Sequence, residues 1–344
     1  MVCALDARHG FADRAARRPV APDQVFVSMS VGKQFTVATV LDRIERGQLA
    51  LTTRVADVIP DFASRGKGRI TVHQLLTHTS GLCSAPPLPP EQFGDLATFV
   101  AAVCATPIEC RPGSRVAYSV FAAHAVLAEC VRRLDERGRP FRQIVAEDVF
   151  APLGMRDTAL GVPAHLRPRL APIVVRDRTP GLLDADLLEL MNRVLAPDSE
   201  IPAGGYVTTA HDLHRFAEML RGEGRFGDVR LLAPATVRAL RVNRTGDAPN
   251  QLWDYALADR GWEPWPAYLG LGFFLRGEGI HPTPFGQLAS PQTFGGFGAG
   301  STAFWIDPER DLTYAFLSAG LIEETRSLER HQRLADLVHA AVVD

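Results

Sequence analysis

Residues 28–33 read Ser28-Met29-Ser30-Val31-Gly32-Lys33, and the chain continues "QFTVATVLDRIERGQLAL". Phe35, Val37, Val40, Leu41 and Ile44 recur mostly at three- and four-residue steps, which predicts a helix with one face in a core, ended by Gly47. Serine suits the mouth of such a helix, because its oxygen accepts from the free backbone N–H groups there. Lysine suits it poorly, since the positive end of the helix macrodipole repels a cation. Ser30 and Lys33 stand three residues apart, so on a helix their side chains share a face. A serine hydroxyl becomes a nucleophile when a base takes its proton, and lysine is such a base once burial lowers its pKa. The same helix start turns the Ser30 backbone N–H outward, where it can donate to an oxyanion. A surface helix start with a solvated lysine is the plainer alternative, and S-x-x-K alone does not choose between them.

Two further stretches do. Tyr118-Ser119-Val120 enters the predicted helix "FAAHAVLAECV", and "FGGFGAGS" at 294–301 leads into the predicted strand "STAFWI". A serine set of S-x-x-K, a short second motif and a strand motif is thereby laid out in order. With these residues the chain resembles the serine β-lactamase and penicillin-binding-protein superfamily, on the branch of class C β-lactamases, D-aminopeptidases and family VIII carboxylesterases. "LLTHTSGL" (75–82), "PLGMRDT" (152–158), "GGYVTTAHDLHRFAEML" (204–220) and "FWIDPERDLTYAFLS" (304–318) carry the same resemblance, spread over about residues 10 to 340. It implies an α/β (α+β) β-lactamase-like fold: an antiparallel sheet flanked by helices, with a mainly helical lobe inserted. Residues 1–70 and 203–344 would form the sheet lobe, and 71–202 the helical lobe.

Carried over residue by residue, the resemblance makes Ser30 the acylated nucleophile, Lys33 its proton partner and Tyr118 the second acid/base group. The oxyanion hole would be the backbone N–H groups of Ser30 and Phe297. Val120, Phe294, Gly295 and Gly296 would line the substrate, with glycines at 295, 296, 298 and 300 letting it approach the backbone closely. Read instead as a phosphate loop, "GGFGAG" lacks the required lysine and precedes a strand rather than a helix. Two departures bear on specificity. Val120 stands where the family has an asparagine, and Phe294 where it has a lysine or histidine. Each replaces a polar group by an apolar one, so the implied small-molecule substrate is an ester, thioester or hydrophobic acyl group rather than a β-lactam. Water attacking the acyl-enzyme gives an esterase, and an alcohol or amine gives an acyltransferase of small-molecule (secondary-metabolite) biosynthesis. A binding or cyclisation protein that reuses the pocket without acylation is the third reading. No metal or organic cofactor is implied.

A third departure is length. Only 29 residues precede Ser30, where the family has a helix and one or two strands. "VCALDARHGFAD" is expected to supply one strand and a turn; either the natural start lies upstream of Met1, or a sheet edge is left that needs cover, which a homodimer would give.

The whole chain sets the frame. Its 344 residues can bury two lobes, and 46% hydrophobic with 22% charged residues is ordinary globular composition. A formal net charge of −2 argues against nucleic-acid or anionic-membrane partners. No run approaches the ~18 apolar residues of a membrane helix, and "MVCALDARHG" has no signal-peptide pattern. Cys3, Cys83, Cys104, Cys110 and Cys130 have no C-x-x-C spacing. Reduced thiols and a cytoplasmic setting are expected, with a Cys104–Cys110 bridge left open. His211 and His214 lack a third ligand at suitable spacing, so a metal site is not expected.

Helices are predicted at 71–78 (capped by Thr71), about 95–105, 121–137, 141–150, 209–222 and 323–342. "LGLGFFLRG" reads as a strand, and "STAFWI", "DPERD" and "LTYAFLS" as a hairpin. The aromatic stretch 253–274 and the weakly patterned 172–202 are the candidate substrate wall and lid.

Overall fold

The computed structural model describes residues 5–342; Cys3 lies outside them. A tight helical turn, Met29–Gly32, runs straight into the helix Lys33–Glu45. Every residue from Lys33 to Leu41 is buried, so this helix is enclosed on all sides rather than amphipathic. The Phe35 ring meets Phe150, Tyr206 and Phe216 edge-on at centroid distances of 5.3, 5.4 and 4.9 Å. Polar side chains on its other faces find buried carbonyls: Thr36 donates to Pro202 O at 2.8 Å and Gln34 to Gly272 O at 2.8 Å.

The main sheet is antiparallel, in the spatial order Leu312–Phe316, Thr302–Asp307, Phe294–Gly298, Phe274–Leu275. The predicted hairpin forms with Ala303 opposite Phe316 and Asp307 opposite Leu312. The buried Asp307 carboxylate fixes its turn, accepting from the Ser290 hydroxyl, the Glu309 N–H and the Arg310 guanidinium. "LGLGFFLRG" yields only the two-residue strand Phe274–Leu275. Gly270 runs so close to Leu240 O that a Cβ would sit 1.8 Å from it, and Gly272 has φ +75°, so the chain bends before a longer ladder can form.

Among the described residues no strand pairs with the outer edge of Leu312–Phe316. The strand expected from the N-terminal segment exists, but Phe11–Asp13 and Arg18–Pro19 make a separate small hairpin and do not join the sheet.

The helical lobe holds Val72–Leu76, Leu96–Ala105, Ala122–Arg133, Phe141–Val145 and Ala185–Val194. Thr71 and Gln74 close a reciprocal capping box on the first. The predicted 121–137 helix stops at Arg133, and 141–150 finishes as a wider π turn, Ala146–Phe150. A short three-stranded sheet of Phe26–Val27, Tyr206–Thr208 and Ala159–Leu160 stitches the lobes together just ahead of Ser30. One continuous core contains Phe35, Val126, Phe216 and Phe304. Cys83, Cys104, Cys110 and Cys130 are free thiols, so the Cys104–Cys110 bridge is not formed. No helix among the described residues is long and apolar enough to cross a membrane.

The packing also explains Gly32 within the opening motif. A Cβ there would lie 2.4 Å from the Tyr206 ring and 2.7 Å from Ser28 Oγ. Gly32→Ala is therefore expected to destabilise by about 1–3 kcal/mol, the usual result of overpacking, read from the midpoint of denaturant unfolding.

Candidate active site

Met29 has φ +51°, a left-handed conformation that a non-glycine residue adopts only where its surroundings enforce it. It turns the chain out of the Phe26–Val27 strand and presents Ser30 at the start of the helical turn. Lys33 Nζ lies 3.0 Å from Ser30 Oγ and donates to Ala203 O at 2.8 Å. Only 2% of Lys33 is exposed, and burial alone lowers its pKa to about 7. No carboxylate holds it charged. The neutral amine carries two N–H donors and one lone pair. Ala203 O takes one donor, and the lone pair can accept the Ser30 hydroxyl proton.

The Tyr118 hydroxyl hydrogen-bonds Ser30, and its ring centre lies 5.1 Å from Lys33 Nζ. Burial pushes the phenol pKa upward, so Tyr118 keeps its proton and is suited to donate rather than to act as phenolate. His78 sets the tyrosine's place. Its ring stacks on Tyr118 at 4.3 Å, its carbonyl accepts from Ala117 N–H at 2.9 Å, and Nδ1 accepts from Ser119 N–H at 3.1 Å. Burial, then the nearby Lys33, bring the His78 pKa down to about 3, which fixes it neutral. That is the turn-securing role the "HTSGL" stretch suggested. His124, 5.5 Å from His78, is fully buried with both ring nitrogens unpartnered.

The strand Phe294–Gly298 is pinned beside the serine turn. Thr302 donates to Ser28 O at 2.8 Å, and a Cβ on Gly298 would sit 3.0 Å from that of Met29. Phe274–Leu275 pairs only with Phe294 and Gly295, so that side of Gly296–Gly298 has no ladder partner. The backbone N–H groups of Phe297 and Ser30 are the candidate oxyanion donors of this arrangement.

The structure shows the surroundings of the four expected substrate-lining residues. Phe294 is wholly buried against Phe273, with the Arg241 guanidinium 5.6 Å from its ring, because alternation along the strand turns it into the core. Val120 is 5% exposed, also buried. Gly295 and Gly296 are required by the protein's own packing: Cβ atoms would fall 2.1 Å from Phe304 O and 2.3 Å from Gln34 Oε1. Phe294 and Val120 thus remove polarity from behind the site instead of facing a ligand.

The apolar wall is made elsewhere. Trp253, Leu252, Phe297 and Leu328 cluster with Tyr118, Trp262, Trp265 and Leu182, so the 253–274 and 172–202 segments do meet beside the serine. Sequence reasoning missed the Ala203 carbonyl, which has no side-chain signal, and the short helix Asp254–Arg260 inside the aromatic stretch. His211 is mostly exposed and His214 bonds Thr313. No cluster of three or more potential metal ligands occurs among the described residues.

Comparison with known proteins places this geometry in context. The sequence model of the Beta-lactamase family matches residues 4–339. Protein Rv1367c of Mycobacterium tuberculosis is 30% identical, the match covering 90% of this chain and 80% of that protein. Esterase/beta-lactamase LipL of the same organism is 26% identical over 92% of this chain and 74% of its own length. A penicillin-binding-protein homologue from Caulobacter crescentus superposes with a TM-score of 0.77 at 26% identity, covering 97% of this chain and 88% of that one.

Proposed function

This chain belongs to the beta-lactamase family, and on that premise we propose that it hydrolyses an uncharged, apolar ester through an acyl-enzyme on Ser30. The observation that carries the reading is the Ser30–Lys33–Tyr118 constellation, in which burial of Lys33 brings its pKa to about 7 without a carboxylate. As Ser30 Oγ attacks the ester carbonyl, its proton passes to Lys33 Nζ, and the developing oxyanion accepts from the Ser30 and Phe297 N–H groups. Collapse breaks the bond to the alcohol, which leaves with the Tyr118 proton, and Lys33 reprotonates Tyr118. Water then adds to the acyl-enzyme by the reverse proton route. An alcohol or amine taking the place of that water would give transfer, so the acceptor alone separates esterase from acyltransferase.

The wall of Trp253, Leu252, Phe297 and Leu328 supports an apolar substrate. Intact-protein mass spectrometry after a fluorophosphonate, and separately a short-chain p-nitrophenyl ester, tests the reading. One adduct per chain on the wild type and none on Ser30→Ala is expected. No adduct on folded wild-type protein would sink it and leave the non-acylating binding reading.

Tyr118→Phe separates the proton donor from the base. With p-nitrophenyl esters, whose leaving group departs without a proton, kcat/KM, which reads acylation alone, should fall only a few-fold. With ethyl esters it should fall about 100-fold, within the range of general-acid catalysis. Equal losses on both would move Tyr118 to another role.

A further inference from the structure

Behind the aromatic wall lies a cavity of about 30 Å³, lined among others by Asn250, Trp253, Trp265, Phe274, His281 and Phe297. It adjoins the candidate site, since Phe274 stacks on Tyr118 at 6.1 Å and Phe297 carries a candidate oxyanion N–H. Its lining is largely aromatic and aliphatic, with Thr283 as a further polar side chain, and two of its polar atoms lack a partner.

Asn250 is only 6% exposed. Its Oδ1 accepts from Leu252 N–H at 3.0 Å, which fixes the amide's orientation and leaves Nδ2 as a donor with no partner. His281 lies 3.1 Å through Nδ1 from Pro282 O, which only accepts, so Nδ1 carries the proton. Burial lowers the His281 pKa against the backbone carbonyls of Pro282, Arg276 and Glu278, which favour the charged ring, and in the neutral ring Nε2 makes no hydrogen bond of its own. Unmade hydrogen bonds at buried groups are destabilising, so a donor and an acceptor left together in one small cavity call for an occupant. A carbonyl or ether oxygen satisfies the donor alone. A hydroxyl satisfies both.

We propose that this cavity is a specificity pocket for a hydroxyl carried on an aromatic group of the substrate, Asn250 donating to its oxygen and His281 accepting its proton. A space of this size matches one hydroxyl oxygen, because a water's share of liquid volume is about 30 Å³. The aromatic ring would then rest against Trp253, Phe274 and Phe297, of which Phe274 stacks on Tyr118. Offset or edge-on contacts there favour an aryl ring over a saturated ring of equal size. The substrate class is accordingly a hydroxyaryl ester, which deepens the ester reading and rests on it.

The test is calorimetric titration of the non-turning-over Ser30→Ala protein with methyl 4-hydroxyphenylacetate, methyl phenylacetate and methyl cyclohexylacetate. The hydroxyl should tighten binding about fivefold over the unsubstituted aryl ester, the effect of about one hydrogen bond. The cyclohexyl ester should bind most weakly. Adding Asn250→Asp keeps the Oδ1 bond to Leu252 but removes the donor, and adding His281→Phe keeps a ring but removes the acceptor. Each should erase the hydroxyl's increment. Equal binding of the three esters, no binding of any, or an increment that survives both substitutions would overturn the pocket and leave its space to a water. Fluorophosphonate labelling of wild-type Ser30 decides the ester reading separately, so the two failures are distinguishable.

Discussion

Ser30→Ala should reduce ester turnover by about 10⁵–10⁶-fold, the scale on which removal of an activated serine acts elsewhere. What remains would come from binding and the oxyanion donors, which the substitution leaves in place. The measurement is steady-state hydrolysis of a p-nitrophenyl ester, with a melting curve to show that the variant folds. Ser30 is a partly buried surface of the cleft rather than core, so folding should be preserved. Turnover within tenfold of wild type would place the nucleophile elsewhere.

Lys33→Met should slow acylation by about 10²–10⁴-fold, the usual worth of a general base. In the wild type, kcat/KM should rise with pH through about 7, as Lys33 loses its proton, and then level. The variant should lose that limb. Wild-type stability should also depend on pH through Lys33. The unfolded chain keeps the Lys33 proton up to the ordinary value of 10.5, whereas the folded chain releases it near 7, so unfolding takes up a proton between them. The wild type consequently carries the full cost of burying the charge below about pH 7, and that cost fades as pH rises towards 10.5. Methionine has no charge to bury, though it leaves Ala203 O and Ser30 Oγ without the amine. Lys33→Met should therefore melt higher than wild type at pH 6, with the advantage shrinking or reversing by pH 10. A variant less stable at pH 6 than at pH 10, relative to wild type, would refute the buried neutral amine.

The serine–lysine pair was legible because its two members sit three residues apart, across a helical turn and the helix it runs into, where spacing alone brings side chains together. The hairpin was legible because runs rich in β-formers bracket an Asp-Pro turn. The burial of the nucleophile helix on every side was not. Gln34, Thr36 and Thr39 look like a solvated face until the carbonyls they meet, on Gly272, Pro202 and Thr36 itself, are in place. Lys33's second partner is a backbone oxygen, which any residue at position 203 would supply. The facing of Phe294 was hidden for a related reason. A strand with three glycines in five residues shows no alternation, and only the helix packed against it decides which side is inside. The Asn250–His281 cavity is built from irregular segments whose approach no periodicity reports.

The parts of the cleft are scattered along the chain: Ser30 and Lys33 near its start, Tyr118 in the inserted lobe, Ala203 on the return, Phe297 on a strand laid down late. Short-range structure alone thus brings together nothing beyond the first pair, and the remainder waits on closure of long loops. A nascent chain emerging from the ribosome would expose its serine and lysine early yet hold them in water, where the amine keeps its proton and the hydroxyl is inert. On the acyl-enzyme reading, reactivity would arise only once the Thr302–Asp307 and Phe294–Gly298 strands dock against the serine turn. The nucleophile is thereby silent throughout synthesis, and a covalent serine label applied during translation would time the last act of folding rather than the appearance of the residue it modifies.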